Sequence, residues 1–301
     1  MRLSALFSRS YWHRKYMLVL AKRQSPNLYW EGARAMYNQM TGKWLNYRHP
    51  KDINQKLMWL TRYWQHPLKT QCADKYLVRD YVKNAHLENL LVPLIGVWDD
   101  ATKIDFDVLP DRFVLKCNHG SGFNVICTDK TKLDYDAARR QLNEWLSIKY
   151  ENLLFEWHYK DIPKRVVCEE FVTMDNEAPV EYQLWCINGE PDSFLVCRKN
   201  FDGSYDAASY SLDWERQFNR IDEDRSVAFD RPACGTEILI EYARVLSKPF
   251  PFVRLDLYVV KEIVYLAEMT FTPSANILSK YKQSFLDYLG LKLELPAKYI
   301  K

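Results

Sequence analysis

The stretch Phe113-Val-Leu-Lys-Cys-Asn-His-Gly-Ser-Gly-Phe-Asn124 indicates the fold more strongly than any other part of the chain. An apolar strand carries Lys116 and then breaks into a short loop built on Gly120, Ser121 and Gly122. Backbone N–H groups freed by glycine converge on phosphate oxygens, and a lysine ammonium supplies a point charge. Because Lys116 precedes the glycines, this is not a P-loop, and the dinucleotide pattern Gly-x-Gly-x-x-Gly is absent too. The loop therefore predicts a phosphate cradle of another type, with an ordinary β-turn as the alternative.

Composition places the chain among globular proteins. Its 301 residues are 48% apolar and 27% charged, and no run approaches the roughly 20 apolar residues that cross a bilayer. A net charge of +3 gives no argument for nucleic-acid binding. The seven cysteines form an odd, scattered set without a Cys-x-x-Cys motif, which favours reduced thiols and a cytoplasmic location.

The amino terminus is strongly basic. Six basic residues precede the first acidic residue, Glu31: Arg2, Arg9, Arg14, Lys15, Lys22 and Arg23. Such a start suits peripheral contact with the inner face of a membrane, and its apolar residues equally suit a helix packed on the protein body. Residues 1–66 as a whole are predicted to be an N-terminal helical extension.

Hydrophobic periodicity predicts both helices and strands, hence an α/β (α+β) class. Helical spacing covers residues 54–64, 74–84, 135–150 and 236–246. Strand patterns cover residues 90–98, 165–172, 182–187, 192–198, 252–258 and 263–270, and residues 113–127 resemble a hairpin. Asn188-Gly189 predicts a tight turn between two of these strands.

Two closing strands carry a polar constellation. Successive residues of a strand face opposite sides, so Arg254 and Asp256 project together, as do Glu268 and Thr270. Two carboxylates and a hydroxyl at fixed spacing suit Mg²⁺, which leaves its other positions to water and phosphate. Arg254 suits a transferring phosphoryl group. The alternative is the solvent-facing polar side of an antiparallel sheet.

A further strand end lies between these elements. Glu169-Glu170-Phe171-Val172 closes an apolar strand just before a polar connection. Free backbone donors and acceptors at such a position are typical of a hinge that pairs with the edge of an adenine ring.

In this order, the segments resemble the ATP-grasp superfamily and, within it, the TupA-like ATP-grasp family of the teichuronopeptide biosynthesis type. The resemblance extends from about Cys72 to Thr272. Its residues are Ala73-Asp-Lys-Tyr-Leu-Val-Arg79, Phe113-Val-Leu-Lys-Cys-Asn-His-Gly-Ser-Gly122, Cys168-Glu-Glu-Phe-Val172, Glu181-Tyr-Gln-Leu-Trp-Cys-Ile-Asn-Gly189, Leu212-Asp-Trp214, Phe250-Pro-Phe-Val-Arg-Leu-Asp-Leu-Tyr258 and Glu268-Met-Thr-Phe271.

The resemblance implies an ATP-grasp fold, in which two α+β subdomains grip ATP between antiparallel sheets. Residues 67–111 would form a preceding α/β subdomain, residues 112–180 a lid with the phosphate loop, and residues 181–301 the catalytic, magnesium-binding subdomain.

The family also implies which residues bind ATP. Lys75 and Lys116 would hold the α- and β-phosphates, residues 119–122 would close over the triphosphate, and the strand end at 169–172 would contact adenine, with either Glu181 or Glu177 on the ribose. The implied ATP-binding set is Lys75, Lys116, His119, Gly120, Ser121, Gly122, Glu169, Glu170, Phe171, Val172 and Glu181.

Metal, catalytic and substrate roles follow from the same resemblance. The implied Mg²⁺ ligands are Asp256, Glu268 and Thr270; the catalytic residues are Arg254, Lys116 and His119; and Arg198 and Lys199 are candidates for a substrate carboxylate, unless they are only the solvated end of a strand. Two positions depart from the family: many members have Asn in place of Thr270, and a lysine is common near Gln183.

The implied activity is that of an ATP-dependent carboxylate–amine ligase. An acylphosphate would form from ATP, and an amine would displace phosphate, joining an amino acid to a uronic-acid-containing glycan in surface-polysaccharide assembly. Three alternatives stay open at this stage: a kinase acting on a glycan hydroxyl, a glycosyltransferase using Asp222-Glu-Asp224, and a non-catalytic nucleotide-binding scaffold.

Overall fold

Two antiparallel sheets organise the chain in the computed structural model, which describes residues 26–172, 179–199, 205–217 and 227–300. The helices of these ranges are α1 Pro26–Thr41, α2 Ile53–Tyr63, α3 Pro67–Ala73, α4 Val78–Asn84, α5 Tyr135–Ser147, α6 Thr236–Ser247 and α7 Gln283–Lys292. The strands are β1 Leu94–Trp98, β2 Phe113–Cys117, β3 Asn124–Cys127, β4 Val166–Glu170, β5 Glu181–Ile187, β6 Glu190–Lys199, β7 Tyr205–Tyr210, β8 Phe252–Val260 and β9 Ile263–Thr270. The α+β class expected from the sequence is confirmed.

The smaller sheet has four strands in the order β1-β4-β2-β3, all antiparallel. Phe113, Leu115 and Cys117 alternate along β2 and are fully buried, in one cluster with Leu142 of α5. Lys116 therefore projects from the opposite face of the sheet, at the point where β2 enters the glycine loop. The predicted hairpin is confirmed, with Lys116 paired to Asn124.

The larger sheet has five strands in the order β7-β6-β5-β8-β9. Asn188 and Gly189 have φ angles of 53° and 81°, as a two-residue type I′ hairpin requires. One face of the sheet, which includes Leu184 and Leu255, shares the main core with α6. The opposite face carries the polar residues of β5, β8 and β9.

Helices from both ends of the chain pack on one another. α2 and α7 are in contact and contribute residues to the main core, whereas α1 packs in a smaller aromatic cluster. Of the predicted extension, residues 1–25 and their basic side chains lie outside the described residues. The predicted limits of the extension and of the three subdomains remain predictions. No helix in the ranges that the structure covers has both the length and the apolar character to cross a bilayer.

The continuous helical pattern expected over residues 74–84 is wrong in its first turn. α3 ends at Ala73 and α4 begins at Val78. The Asp74 carboxylate accepts hydrogen bonds from the N–H groups of Tyr76 and Leu77 at 2.8 and 3.3 Å. Aspartate competes with the helix in this way because its short side chain reaches nearby backbone donors.

Candidate active site

Lys75 joins the glycine loop to the larger sheet. Its ammonium donates a hydrogen bond to the Gly120 carbonyl at 2.5 Å and lies 3.9 Å from the Glu268 carboxylate. Burial lowers the pKa of Lys75, and Glu268 opposes that shift while Lys116 adds to it. Lys75 therefore contacts both the glycine loop of the smaller sheet and a carboxylate of the larger sheet.

A buried polar network fixes the segment that carries Lys75. The Asn118 side chain donates to the Asp74 carboxylate at 2.8 Å, and both residues are fully buried. The Asn118 carbonyl accepts the Lys75 N–H at 3.3 Å, while its side-chain oxygen accepts the Arg165 N–H at 2.7 Å. Because buried polar groups are costly unless paired, these bonds hold the Lys75 segment to the end of β2.

The glycine loop has a buried base and an exposed tip. Gly120 lies against the Tyr150 ring, where an added Cβ would approach ring carbon Cδ2 to 2.5 Å. Ser121 and Gly122 are exposed, and Gly122 has a φ of 79°. These features leave the tip free to contact a ligand while its base is held.

His119 is placed differently from the sequence-based expectation. Its side chain is 1% exposed, and neither ring nitrogen has a hydrogen-bond partner among the described residues. Burial lowers the pKa of His119 to about 4, and the charge of Lys164 adds to this. The ring is therefore a neutral, buried group beneath the loop, and the structure does not bring it to the surface where a substrate would bind.

Lys116 is held in a three-residue ionic cluster. Its ammonium lies 2.6 Å from one Glu169 oxygen, and Arg79 lies 3.3 Å from the other. Arg79 was missed in the sequence-based list, although it follows Lys75 by four residues in a segment with helical spacing. Glu169, which the family resemblance places at the strand end expected to contact adenine, directs its side chain to Lys116 and Arg79.

Arg254, Asp256, Glu268 and Thr270 meet on one face, as the strand alternation predicts. Arg254 donates two hydrogen bonds to Asp256, from Nε to Oδ1 at 2.7 Å and from Nη2 to Oδ2 at 2.6 Å. The Thr270 hydroxyl lies 2.9 Å from Glu268 Oε1 and 3.2 Å from Asp256 Oδ2. The four side chains thus form one continuous polar cluster on β8 and β9.

Neighbouring charges favour the ionised forms of Arg254 and Glu268, whereas burial raises the pKa of Asp256, and the charges of Glu181 and Glu268 add to that shift. Burial acts to lower the pKa of Arg254, but Asp256 outweighs it and the pKa is raised. Burial likewise acts to raise the pKa of Glu268, but Lys75 and Arg254 outweigh it and the pKa is lowered. Glu268 is therefore ionised near neutral pH, and at 34% side-chain exposure it is open to solvent.

A row of oxygen donors crosses three strands at this point. Gln183 on β5 pairs in register with Asp256, and Asp256 pairs with Glu268. Gln183 donates to Glu181, whereas its own side-chain oxygen is buried and accepts nothing from any described residue. Such hard oxygen donors fit Mg²⁺. Within the described ranges no three His, Cys, Asp or Glu side chains are grouped to hold a metal, so water or phosphate would have to complete its coordination.

The strand end at 169–172 keeps part of its backbone free. The Glu170 N–H is already committed, donating to the Pro93 carbonyl at 3.1 Å. The backbone groups of Phe171 and Val172 make no hydrogen bond within the part of the chain that the structure describes. The Arg112 guanidinium lies 4.5 Å from the centre of the Phe171 ring and fixes it. The unpaired backbone groups of this strand end therefore belong to Phe171 and Val172, the two residues that follow Glu170.

The predicted substrate residues are not brought to this face. Arg198 follows Val196 by two residues on β6, and Val196 pairs with Tyr182 and is fully buried in the main core. Arg198 therefore projects from the opposite side of the sheet from Gln183, and lies 3.7 Å from Asp206. Lys199 ends β6, and its side chain lies outside the described residues, as do Glu177 and the triplet Asp222-Glu-Asp224.

Comparisons with known proteins bear on this arrangement. A family model described as TupA-like ATPgrasp matches residues 55–294, and no curated protein sequence matches the chain. D-alanine–D-alanine ligase from Helicobacter pylori is similar in structure at 18% identity and a TM-score of 0.45, over 74% of this chain and 59% of that chain.

Two further solved structures are similar. D-alanine–D-alanine ligase from Bacillus anthracis, complexed with ATP, has 15% identity and a TM-score of 0.42, over 81% of this chain and 69% of that chain. The ATP-grasp ligase PsnB, complexed with minimal precursor, Mg and ADP, has 10% identity and a TM-score of 0.42, over 80% of this chain and 66% of that chain.

Proposed function

The chain belongs to the TupA-like ATP-grasp family, and on this premise we propose that it is an ATP-dependent carboxylate–amine ligase. Its substrates would be an amino acid or other amine and an acidic sugar, such as a uronic acid of a capsule, O-antigen or teichuronopeptide. The observation that carries the proposal is the run of contacts from Gly120 through Lys75 to Glu268, which joins the phosphate loop to the carboxylate face.

ATP would lie between the loop and the larger sheet. Lys75 and Lys116 supply cations for the phosphates, and the exposed tip of the loop at Ser121 and Gly122 would contact phosphate oxygens. The free backbone groups of Phe171 and Val172 suit the adenine edge. Of the two candidate acids for the ribose, Glu181 is the one that lies within the described residues. His119, which is buried, would support the loop rather than touch the nucleotide.

Asp256 and Glu268, with the Thr270 hydroxyl, are the residues that would hold Mg²⁺. The ion, when bound, would neutralise charge on the phosphates. Asp256 already accepts two hydrogen bonds from Arg254 and one from Thr270, so Glu268 is the more accessible ligand. Arg254 sits where it can neutralise charge on a transferring phosphoryl group.

The reaction needs little covalent work from side chains. A substrate carboxylate oxygen attacks the γ-phosphorus as the bond to the β–γ bridging oxygen breaks, giving an acylphosphate and ADP. The amine nitrogen then attacks the acyl carbon, phosphate leaves, and the nitrogen loses a proton to give the amide. Alignment and charge neutralisation by Lys116 and Arg254 would supply the catalysis.

The test is product analysis after incubation with Mg-ATP, a panel of amino acids and uronic-acid glycans. We expect ADP, free phosphate and a new amide by mass spectrometry. Lys116→Ala and Glu268→Ala should abolish ADP release with an unchanged circular dichroism spectrum, while Lys132→Ala, at an exposed lysine, should behave as wild type. ADP release at the wild-type rate from either site variant would refute the assignment. Phosphate retained on a sugar hydroxyl would indicate a kinase.

A further inference from the structure

A small cavity lies beside the candidate active site, between the end of α2, the helix α3 and residues 157–161. It is lined by Thr61, Trp64, Gln65, His66, Lys69, Thr70, Trp157, His158, Lys160 and Asp161. Its volume is about 90 Å³, which is room for roughly six water molecules. The cavity is thus large enough for a small organic molecule and too small for a glycan.

Lys69 is a buried cation at the wall of this cavity. Its side chain is 3% exposed, and its ammonium has no ion-pair or hydrogen-bond partner among the residues described. The centre of the Phe271 ring lies 6.0 Å from this ammonium. Burial lowers the pKa of Lys69 to about 7, and Glu156 opposes the shift. A buried ammonium without a partner is costly, so an anion in the cavity would relieve it.

His158 forms part of the wall of the same cavity. It is 6% exposed, and both of its ring nitrogens are buried and lack hydrogen-bond partners within the described ranges. Burial lowers its pKa, and the charge of Lys69 adds to this. The ring is therefore neutral and leaves Lys69 as the buried cation at this wall.

Glu156 interacts electrostatically both with Lys69 at the cavity and with Glu268 on the carboxylate face. The Thr272 hydroxyl donates to Glu156, and Thr272 follows Thr270 of the metal cluster by two residues. The charges of Glu268, Lys69 and Lys75 all act on the pKa of Glu156. Glu156 is therefore close to both the cavity and the candidate ATP site.

We propose that this cavity binds the carboxylate of an amino-acid substrate, with Lys69 as the donor. This inference rests on the proposed function for its place in the reaction. In an amide ligation the amine component reacts through nitrogen and keeps its carboxylate, so the carboxylate is available for recognition.

The experiment measures binding of free amino acids without ATP, by calorimetry and by the fluorescence of Trp64 and Trp157. Glycine, alanine, aspartate and glutamate are compared with glycinamide, which lacks the carboxylate. At least one amino acid should bind, and its carboxamide should bind at least about tenfold more weakly, as expected for loss of a charged hydrogen bond. Lys69→Met should weaken amino-acid binding by the same factor and remove the preference for the carboxylate.

Controls separate this proposal from a general loss of structure. Lys56→Met changes another partly buried lysine, whose ammonium donates to the Leu293 carbonyl at 2.6 Å, and should leave amino-acid binding unchanged. ATP affinity should be unchanged in Lys69→Met. If Lys69→Met fails to fold, the comparison of amino acid with carboxamide on the wild-type protein provides the same test.

Two results would overturn the subsite. One is equal affinity for glycine and glycinamide in the wild-type protein; the other is an unchanged KM for the amino acid in Lys69→Met during turnover. Neither would refute the ligase, since ADP formation is measured separately. Conversely, selective amino-acid binding in a protein that forms no ADP would refute the ligase and leave the subsite standing.

Discussion

Gly120→Ala tests whether the base of the phosphate loop is held by the Tyr150 ring. The new Cβ would lie 2.5, 2.8 and 2.9 Å from three ring carbons, all closer than van der Waals contact. Tyr150 is itself buried and in edge contact with Phe123 and Tyr159, so the ring cannot move away freely. The loop must shift, and with it the Gly120 carbonyl that accepts the Lys75 hydrogen bond.

The expected cost follows from overpacking. Forcing one methyl group into a filled site usually costs about 1–3 kcal/mol, which corresponds to a fall in Tm of roughly 2–4 °C per kcal/mol in a protein of some 200 residues and less in a longer chain. In a Tyr150→Leu background the ring is absent, so Gly120→Ala should cost at least about 1 kcal/mol less. This difference is the coupling energy of a double-mutant cycle.

The assay is urea unfolding of the four proteins of the cycle. Gly122→Ala is the matched control, because an added Cβ there meets nothing within 4 Å but the φ of +79° is strained for alanine. It should cost about 1 kcal/mol by strain alone, equally in both Tyr150 backgrounds. A Gly120→Ala cost that is absent, or that is the same with and without the Tyr150 ring, would refute the steric argument.

Two further predictions concern buried charge. Arg254→Met leaves the Asp256 carboxylate, 1% exposed, without its cationic partner and should lower the free energy of unfolding by urea by about 3–5 kcal/mol. Adding Asp256→Leu should recover part of this stability. A double variant no more stable than the single one would contradict the reasoning. Burial raises the pKa of Glu156 from 4.5 to about 7, so the native state keeps a proton that the unfolded chain releases, and unfolding free energy falls as pH rises through that window. Glu156→Gln should lose this component between about pH 5 and about pH 7, whereas Glu144→Gln, at an exposed position, should keep the wild-type slope.

Some of the site could be read directly from the sequence. The cluster on β8 and β9 can be predicted from two features, the alternation of side chains along each strand and the pairing of strands that are consecutive in the chain. The structure has both features. The Lys116 hairpin and the Asn188-Gly189 turn are equally local features. The same alternation also placed Arg198 on the far side of its strand, because Val196, two residues earlier, belongs to an apolar run. The sequence itself therefore carries the signal that separates Arg198 from the polar face.

Other parts of the site depend on contacts between distant segments. Glu169 pairs with Lys116 and with Arg79, which are 53 and 90 residues away. The burial of His119 depends on how residues of α5 and the following turn cover the loop, which no local pattern encodes. Lys69, Glu156 and Thr272 likewise come from three separate segments, so their proximity follows from tertiary packing alone.

The paired charges suggest how nucleotide and cation binding are linked. Each cation of the candidate site already has a carboxylate partner: Lys116 has Glu169 at 2.6 Å, Arg254 has Asp256 at 2.6 Å, and Lys75 has Glu268 at the longer distance of 3.9 Å. Phosphate oxygens must compete with these carboxylates, and competition is easiest where the contact is longest and the acid most exposed. When Lys75 turns to phosphate, Glu268 loses one of its two counter-charges and keeps Arg254 at 4.0 Å, and a divalent cation at Glu268 replaces the lost charge. We therefore propose that the Lys75–Glu268 pair favours joint binding of ATP and its metal, since the metal compensates the charge that phosphate draws away from Glu268.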